Sequence, residues 1–410
     1  MALARPSPWR WLSIGIFFLS SSINYLDRLS LATLAPLFRA EFHLSNADYG
    51  WILTAFSVTY AAAAPFAGLL IDRIGLNRGI TLAVSLWSLA GIATGFTRGL
   101  SGLFACRSWL GLAEAGGIPA AGKAMHEYLA TEERALGNGL NQAAVFLGAI
   151  LAPPVATWIA VHYQWRMAFV ATGILGLAWI PLWLAVSRRT PPARPSTVEP
   201  LARSLHILRD PRMWGFIVAN AVSMVTYSLW SNWTTLYLVE VNGLSFVEAA
   251  WFAWLPPLAA MIGGFAGGWL SFHWSKKGIE PVRSRARVCF LCALIGLATI
   301  LIPLTPNAAW AAAAISLSIF AVSAFSVNLY TMPLDVYEGA RAAFAISLLV
   351  SAYGAMQAAV SPALGALIDR YGFAPVCAIA AATPIAAYAF LHVTLLARAP
   401  QPSPSAARRA

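Results

Sequence analysis

Long apolar runs follow one another along almost the whole chain, separated by short clusters of charged and turn-forming residues. A helix needs roughly 20 mostly apolar residues to cross a hydrocarbon slab about 30 Å thick, because each helical residue rises about 1.5 Å. Runs of that size fall at 11–37, 48–71, 79–97, 101–123, 135–161 and 166–187, then at 213–239, 246–272, 286–304, 308–333, 342–367 and 374–396. The pattern predicts an all-α integral membrane protein with twelve transmembrane helices. One long polar interruption, Arg188 to Arg212, is rich in Arg, Pro and Ser. It divides the chain into an N-terminal six-helix half (1–187), a linker (188–212) and a C-terminal six-helix half (213–398), leaving a tail (399–410) whose composition predicts disorder. The first run is too long for the apolar core of a signal peptide, and no small-residue cleavage site follows it. The first helix is therefore expected to stay in the mature protein.

Composition removes the soluble alternative. Hydrophobic residues make up 59% of the chain and charged residues 10%, too little polar surface to cover a core of this size. The net charge of +11 would suit nucleic acid, but its placement argues otherwise. With the N-terminus in the cytoplasm, the inner loops receive Arg5, Arg10, Arg73, Arg78, Lys123, Arg134, the linker arginines, Lys276, Lys277, Arg283, Arg285, Arg287, Arg341 and the C-terminal arginines. The outer loops receive Arg39, Arg98, Arg166 and Arg370. This is the positive-inside asymmetry of an even number of helices, with both termini cytoplasmic. The four cysteines (Cys106, Cys289, Cys292, Cys377) sit inside apolar runs and read as small buried hydrophobes. A membrane-embedded enzyme would need a catalytic constellation, yet there is no HExxH, no GxSxG and no metal-ligand cluster, and the six histidines lie in loops or near helix ends. No enzyme activity, cofactor or metal is expected.

Four charged residues remain deep inside predicted spans: Asp27 and Arg28 in the first, Arg107 and Glu114 in the fourth. A charge at the bilayer centre costs at least about 2.5–3.5 kcal/mol, so such residues face a bundle interior or an aqueous cavity and seek partners. Asp27 and Arg28 are adjacent and point about 100° apart, so one can face a cavity while the other meets a neighbouring helix. Arg107 and Glu114 share a helix face but lie about 10 Å apart, and each is expected to meet a residue of another helix. The set sums to zero charge. It reads either as a substrate and proton site or as an ion-pair network locking two helices. Polar side chains at helical spacing surround it: Asn24, Tyr60, Asn141 and Gln142 in the first half, Tyr227, Asn232, Asn328, Tyr330, Ser347, Ser351, Tyr353 and Gln357 in the second. Each suits an interhelical hydrogen bond or, together with an arginine, a hydroxylated anion.

An internal echo links the halves. Gly68-Leu-Leu-Ile-Asp72-Arg73-Ile-Gly75 recurs as Gly365-Ala-Leu-Ile-Asp369-Arg370-Tyr-Gly372, the first copy inside and the second outside. Nested inverted repeats and convergent helix-end chemistry both account for it.

These motifs resemble a known family. Gly68-x3-Asp72-Arg73-x-Gly75-x2-Arg78 and Arg107-x3-Gly111-x2-Glu114 resemble signatures of the major facilitator superfamily. Asn24-Tyr25-Leu26-Asp27-Arg28, Gly111-Leu-Ala-Glu114-Ala and Pro119-Ala-Ala-Gly-Lys123 are similar to its anion:cation symporter family, which includes hexuronate, galactonate and glucarate permeases, sialin and the vesicular glutamate carriers. Trp165-Arg166-x-Ala168-Phe169 and Phe252-Ala-Trp-Leu-Pro256 resemble the hexuronate-type members. The resemblance implies the major facilitator fold and proton-coupled symport of a small organic anion such as a sugar acid across a bacterial inner membrane, by a monomer working through alternating access. Sodium is the other possible coupling ion. It implies that Arg28 reads the substrate carboxylate, that Asp27 and Glu114 carry coupling protons, and that Tyr60 lines the pocket. Asn24, Gln142, Asn232, Asn328, Ser347 and Ser351 are the further candidates for substrate contact. Arg107, Asp72, Arg73 and Gly75 are assigned to structure and gating. The chain departs from the family at Phe272, Ser223 and Val145, so no single member's substrate is copied. An exchanger or uniporter of a monocarboxylate or aromatic acid is the second expectation.

Overall fold

The computed structural model describes residues 9–130, 133–189, 205–337 and 339–396. In the first half, span 1 is Arg10–Phe42, span 2 Asn46–Ile74, span 3 Leu76–Thr94, span 5 Arg134–His162 and span 6 Trp165–Ser187, while span 4 is split into Leu100–Glu114 and Gly117–Tyr128. In the second, span 7 is Pro211–Glu240, span 10 Ala308–Val336, span 11 Gly339–Tyr371 and span 12 Phe373–Leu391. Span 8 is split into Phe246–Ala253 and Leu255–Lys276, and span 9 (Pro281–Gly296) ends in a 3-10 stretch, Leu297–Leu304. Most of the predicted linker and the whole predicted tail lie outside the described residues. The described end of the linker forms a 3-10 turn, Leu205–Arg209, and the Asp210 side chain then caps span 7 by accepting from the backbone N–H of Arg212, with Pro211 at the first helical position.

Among the described residues, nine helices are long and apolar enough to cross a membrane by length and composition alone, and bent span 2 makes a tenth. Spans 1 and 4 fall short, and these carry the four deep charges. The break in span 4 has a local cause. Pro119 has no N–H, and its ring clashes with the carbonyl four residues back, so the helix parts beside Ala115 and Gly116. Pro256, at the start of the second segment of span 8, does the same at Trp254.

The two halves repeat one packing plan. Span 1 packs on span 5, span 2 on span 4 and span 3 on span 6, as span 7 packs on span 11, span 8 on span 10 and span 9 on span 12. The halves meet through spans 2 and 11, 5 and 8, and 1 and 7. Spans 2 and 11 are thus partners across the interface and not equivalents, which sets the place of the echoed motif. In both copies the final glycine takes a positive φ, +85° at Gly75 and +73° at Gly372, a conformation that residues with a Cβ rarely adopt. Their carboxylates differ in partner. Asp72 pairs with Lys123 of span 4 at 2.8 Å. Asp369 crosses to the other half and accepts the backbone N–H groups of Asn46 and Ala47, both at 2.9 Å, at the positive end of span 2.

The halves are joined at the face opposite the linker. There a single apolar cluster runs through both, with Phe38, Tyr49 and Trp165 from one side and Trp230, Trp233 and Tyr237 from the other. The Tyr49 ring meets Trp233 edge-on at 5.4 Å, and its hydroxyl donates to the Asn232 carbonyl at 3.0 Å. Arg39 pairs with Glu240 beside it. Toward the linker face the cores separate. One holds Ile14, Phe17, Trp87 and Trp183 of the first half, and another holds Phe216, Cys289, Phe325 and Leu349 of the second.

Two outcomes follow from this packing. A methyl group on Gly148 would run into the Ser22 backbone of span 1, so Gly148→Ala is expected to lower stability by about 1–3 kcal/mol despite the better helix propensity of alanine. Thermal unfolding of the purified protein in detergent checks it, and an unchanged midpoint refutes it. Asp369→Ala removes a charge-assisted cap worth about 1–2 kcal/mol. It should widen the distance distribution between spin labels at Tyr163 and Tyr371, the longer population growing several-fold.

Candidate functional site

Span 1 directs its two charges to different surroundings. The Arg28 side chain is 24% exposed and reaches Glu114, whose side chain is 0% exposed. Arg28 Nε donates to Glu114 Oε2 at 2.9 Å, and Nη2 donates to the same oxygen. Glu114 is the last residue before the break in span 4. A carboxylate at a helix C-terminus opposes the helix dipole, and the arginine offsets that cost. The guanidinium is framed by aromatic rings, 4.9 Å from Tyr25, 4.8 Å from Phe56 and 5.5 Å from Tyr60. Phe56 and Tyr60, one turn apart on span 2, stack at 5.6 Å.

Asp27 turns toward span 6 instead. It is 4% exposed, and its Oδ1 accepts from the Thr172 hydroxyl of span 6. Gly91 of span 3 leaves it room, since a Cβ there would stand 3.2 Å from Oδ1. Arg107 is 2% exposed, with its guanidinium 5.7 Å above the Phe169 ring and within the fields of Asp27 and Glu114. A bonded partner on another helix was expected for it. Instead its Nε and Nη2 have no hydrogen-bond partner among the described residues, and neither do Asp27 Oδ2 and Glu114 Oε1. The four charges therefore form an open network: one closed, partly exposed ion pair, with a second acid and base behind it that attract without bonding. Unused donors and acceptors thus lie inside the set, where the low dielectric makes each unpaired polar group costly.

The second half faces Arg28 with phenols. Tyr227, Tyr330 and Tyr353 are half-buried. Tyr227 and Tyr353 meet edge-on at 6.4 Å, and both lie within electrostatic range of Tyr25 and Arg28. Tyr330 interacts electrostatically with Tyr25, Tyr60 and Tyr227, and its oxygen accepts from the Asn220 amide at 3.5 Å.

Of the residues predicted from sequence, Glu114 and Tyr60 converge on Arg28. Asn24 is buried one turn away on the same helix, Gln142 and Ser347 are exposed, and Ser351 is half-buried. Two candidates turn back on their own helices. Asn232 donates to the Ser228 carbonyl next to the aromatic cluster, and fully buried Asn328 donates to the Ala324 carbonyl. Asp72, Arg73 and Gly75 stand apart at the linker-side end of span 2. Sequence reasoning missed Phe56, Thr172, Phe169 and the ring of Tyr25 as parts of the site. Two had a signal: Tyr25 precedes Arg28 by three residues and Phe56 precedes Tyr60 by four, spacings that share a helix face.

The arrangement has relatives among known proteins. The hexuronate transporter of Escherichia coli (strain K12) is 29% identical over 391 residues, covering 91% of this chain and 90% of that protein. The galacturonate transporter of Dickeya chrysanthemi is 29% identical over 305 residues, covering 70% of this chain and 88% of its own. Among solved structures, a bacterial homologue of the human lysosomal transporter Spinster, in an inward-facing and unoccupied conformation, superposes with a TM-score of 0.75 at 21% identity, over 95% of this chain and 96% of that one. Residues 17–348 match the model of the Major Facilitator Superfamily. With twelve spans, two halves on one packing plan and the family model matched over residues 17–348, the chain belongs to the major facilitator superfamily and is a membrane transporter.

Proposed function

We propose that the protein is a proton-coupled symporter of a sugar acid, working by alternating access in a bacterial inner membrane with both termini in the cytoplasm. The observation that carries this reading is the Arg28–Glu114 pair, a partly exposed guanidinium held by a fully buried carboxylate. A guanidinium fork suits a carboxylate, so a sugar acid competes with Glu114 for Arg28. Once deprived of its arginine, a buried carboxylate is stabilised by taking up a proton, because an unpaired charge is costly in an apolar interior. Substrate and proton binding then favour each other, as linkage requires. The hexuronate and galacturonate transporters named above support a sugar acid as cargo. The arginine and lysine distribution supports placing the linker in the cytoplasm. The outer face is then the closed one, and the described state opens inward. Asp72, Arg73 and Gly75, far from Arg28, belong to the conformational cycle in this reading, and Asp27 with Arg107 forms the reserve that rebalances charge when Arg28 changes partner.

Arg28→Lys keeps the charge and loses the fork. Binding of glucuronate, followed by calorimetry, is expected to weaken tenfold or more, about 1.4 kcal/mol per decade; wild-type affinity in this variant would remove Arg28 from the site. Glu114→Gln imitates the protonated acid. In proteoliposomes it should bind and exchange glucuronate but fail to concentrate it under an imposed pH gradient. Accumulation at the wild-type level would place the coupling proton elsewhere, and accumulation driven by a sodium gradient alone would replace the proton as coupling ion.

A further inference from the structure

The charges that line the cleft are unequal between the halves, and this bears on how many carboxylates a cargo can carry. Among the residues whose side chains are described, the cations of spans 7 to 12 lie at span ends: Arg212 at the start of span 7, Lys276 and Lys277 at the end of span 8, Arg283, Arg285 and Arg287 at the start of span 9, and Arg370 at the end of span 11. In the first half Arg107 is shut behind Asp27 at 2% exposure, and Lys123 is engaged by Asp72. Arg28 is therefore the one cation in the described membrane interior that is partly exposed to the cleft, and Glu114 already matches its charge. Three phenols of the second half lie near it: Tyr227 and Tyr353 within electrostatic range of Arg28, and Tyr330 within range of Tyr25, Tyr60 and Tyr227.

We propose that the site takes a sugar acid with a single carboxylate, held by Arg28, reads its uncharged hydroxylated end with Tyr227, Tyr330 and Tyr353, and so excludes dicarboxylic sugar acids. This rests on the sugar-acid reading above and narrows it. The four interior charges sum to zero, so one carboxylate adds one negative charge and one proton restores neutrality. A second carboxylate would be buried against the phenols without a counter-charge, a large desolvation cost with no compensating pair. Phenols suit hydroxyl groups instead, since each can donate and accept one hydrogen bond. The Tyr330 oxygen already accepts from Asn220, which leaves its O–H proton for another acceptor.

Three ligands on one six-carbon skeleton test the inference: glucuronate and gluconate with one carboxylate, and glucarate with two. Binding to the full-length protein in detergent is measured by calorimetry. At least one monocarboxylate is expected to bind, with glucarate ten- to a hundredfold weaker. Tyr353→Arg should then strengthen glucarate relative to the monocarboxylates by tenfold or more, whereas Tyr353→Phe should weaken the monocarboxylates without admitting glucarate. Glucarate binding to the wild-type protein as tightly as glucuronate overturns the inference and leaves the sugar-acid reading standing. Binding of none of the three overturns both. If Tyr353→Arg does not fold, the wild-type comparison alone decides.

Discussion

The ion pair between Arg28 and Glu114 stands where the fold is under most constraint. Two acids and two bases must stay inside an apolar slab, and each would be untenable alone. Pairing Arg28 with Glu114 fixes the approach of span 1 to span 4 and places the break in span 4 directly after the acid. Asp27, one residue from Arg28, is then turned toward spans 3 and 6, where Thr172 supplies a donor and Gly91 supplies space. Arg107 fills the remaining interior within the field of both acids. Moving any one of the four leaves the others without compensation. The geometry of the first half follows from this.

The second half repeats the packing plan without the charges. Spans 7, 10 and 11 bring tyrosines to the cleft where spans 1 and 4 bring ions. Helix packing and cleft chemistry are thus separable. Interhelical contacts in a membrane rest on close backbone approach and van der Waals contact, which the second half keeps through small residues such as Gly263 and Gly267 against span 10. The side chains that face the cleft are free of that duty and differ between the halves.

Much of the architecture was legible in the chain. Apolar run length alone placed all twelve spans within a few residues, because the bilayer thickness sets it. The deep charges pointed to the site for the same reason. What stayed hidden was whatever periodicity cannot register. The breaks in spans 4 and 8 fall inside uniformly apolar runs, where proline near a small or aromatic residue does not interrupt the pattern. Asn328 and Ser351 look alike in sequence, yet one is wholly buried against its own helix and the other is partly open. Which face of a span meets the cleft is decided by packing between spans, not by the span. The contact of Asp369 with span 2 joins residues more than three hundred positions apart, and a helix-end motif carries no record of whose N–H groups it will meet.

The closed face has a thermodynamic character of its own. Among the described residues one ion pair, Arg39–Glu240, and one cap join the halves there, but its body is the cluster of Phe38, Tyr49, Trp165, Trp230 and Trp233. Separating the halves there would wet a large aromatic surface, and hydration of such surface raises the heat capacity. The free energy of holding this face closed is therefore curved in temperature. Cooling weakens the hydrophobic part of the closure, so this aromatic seam holds the two halves together less firmly in the cold.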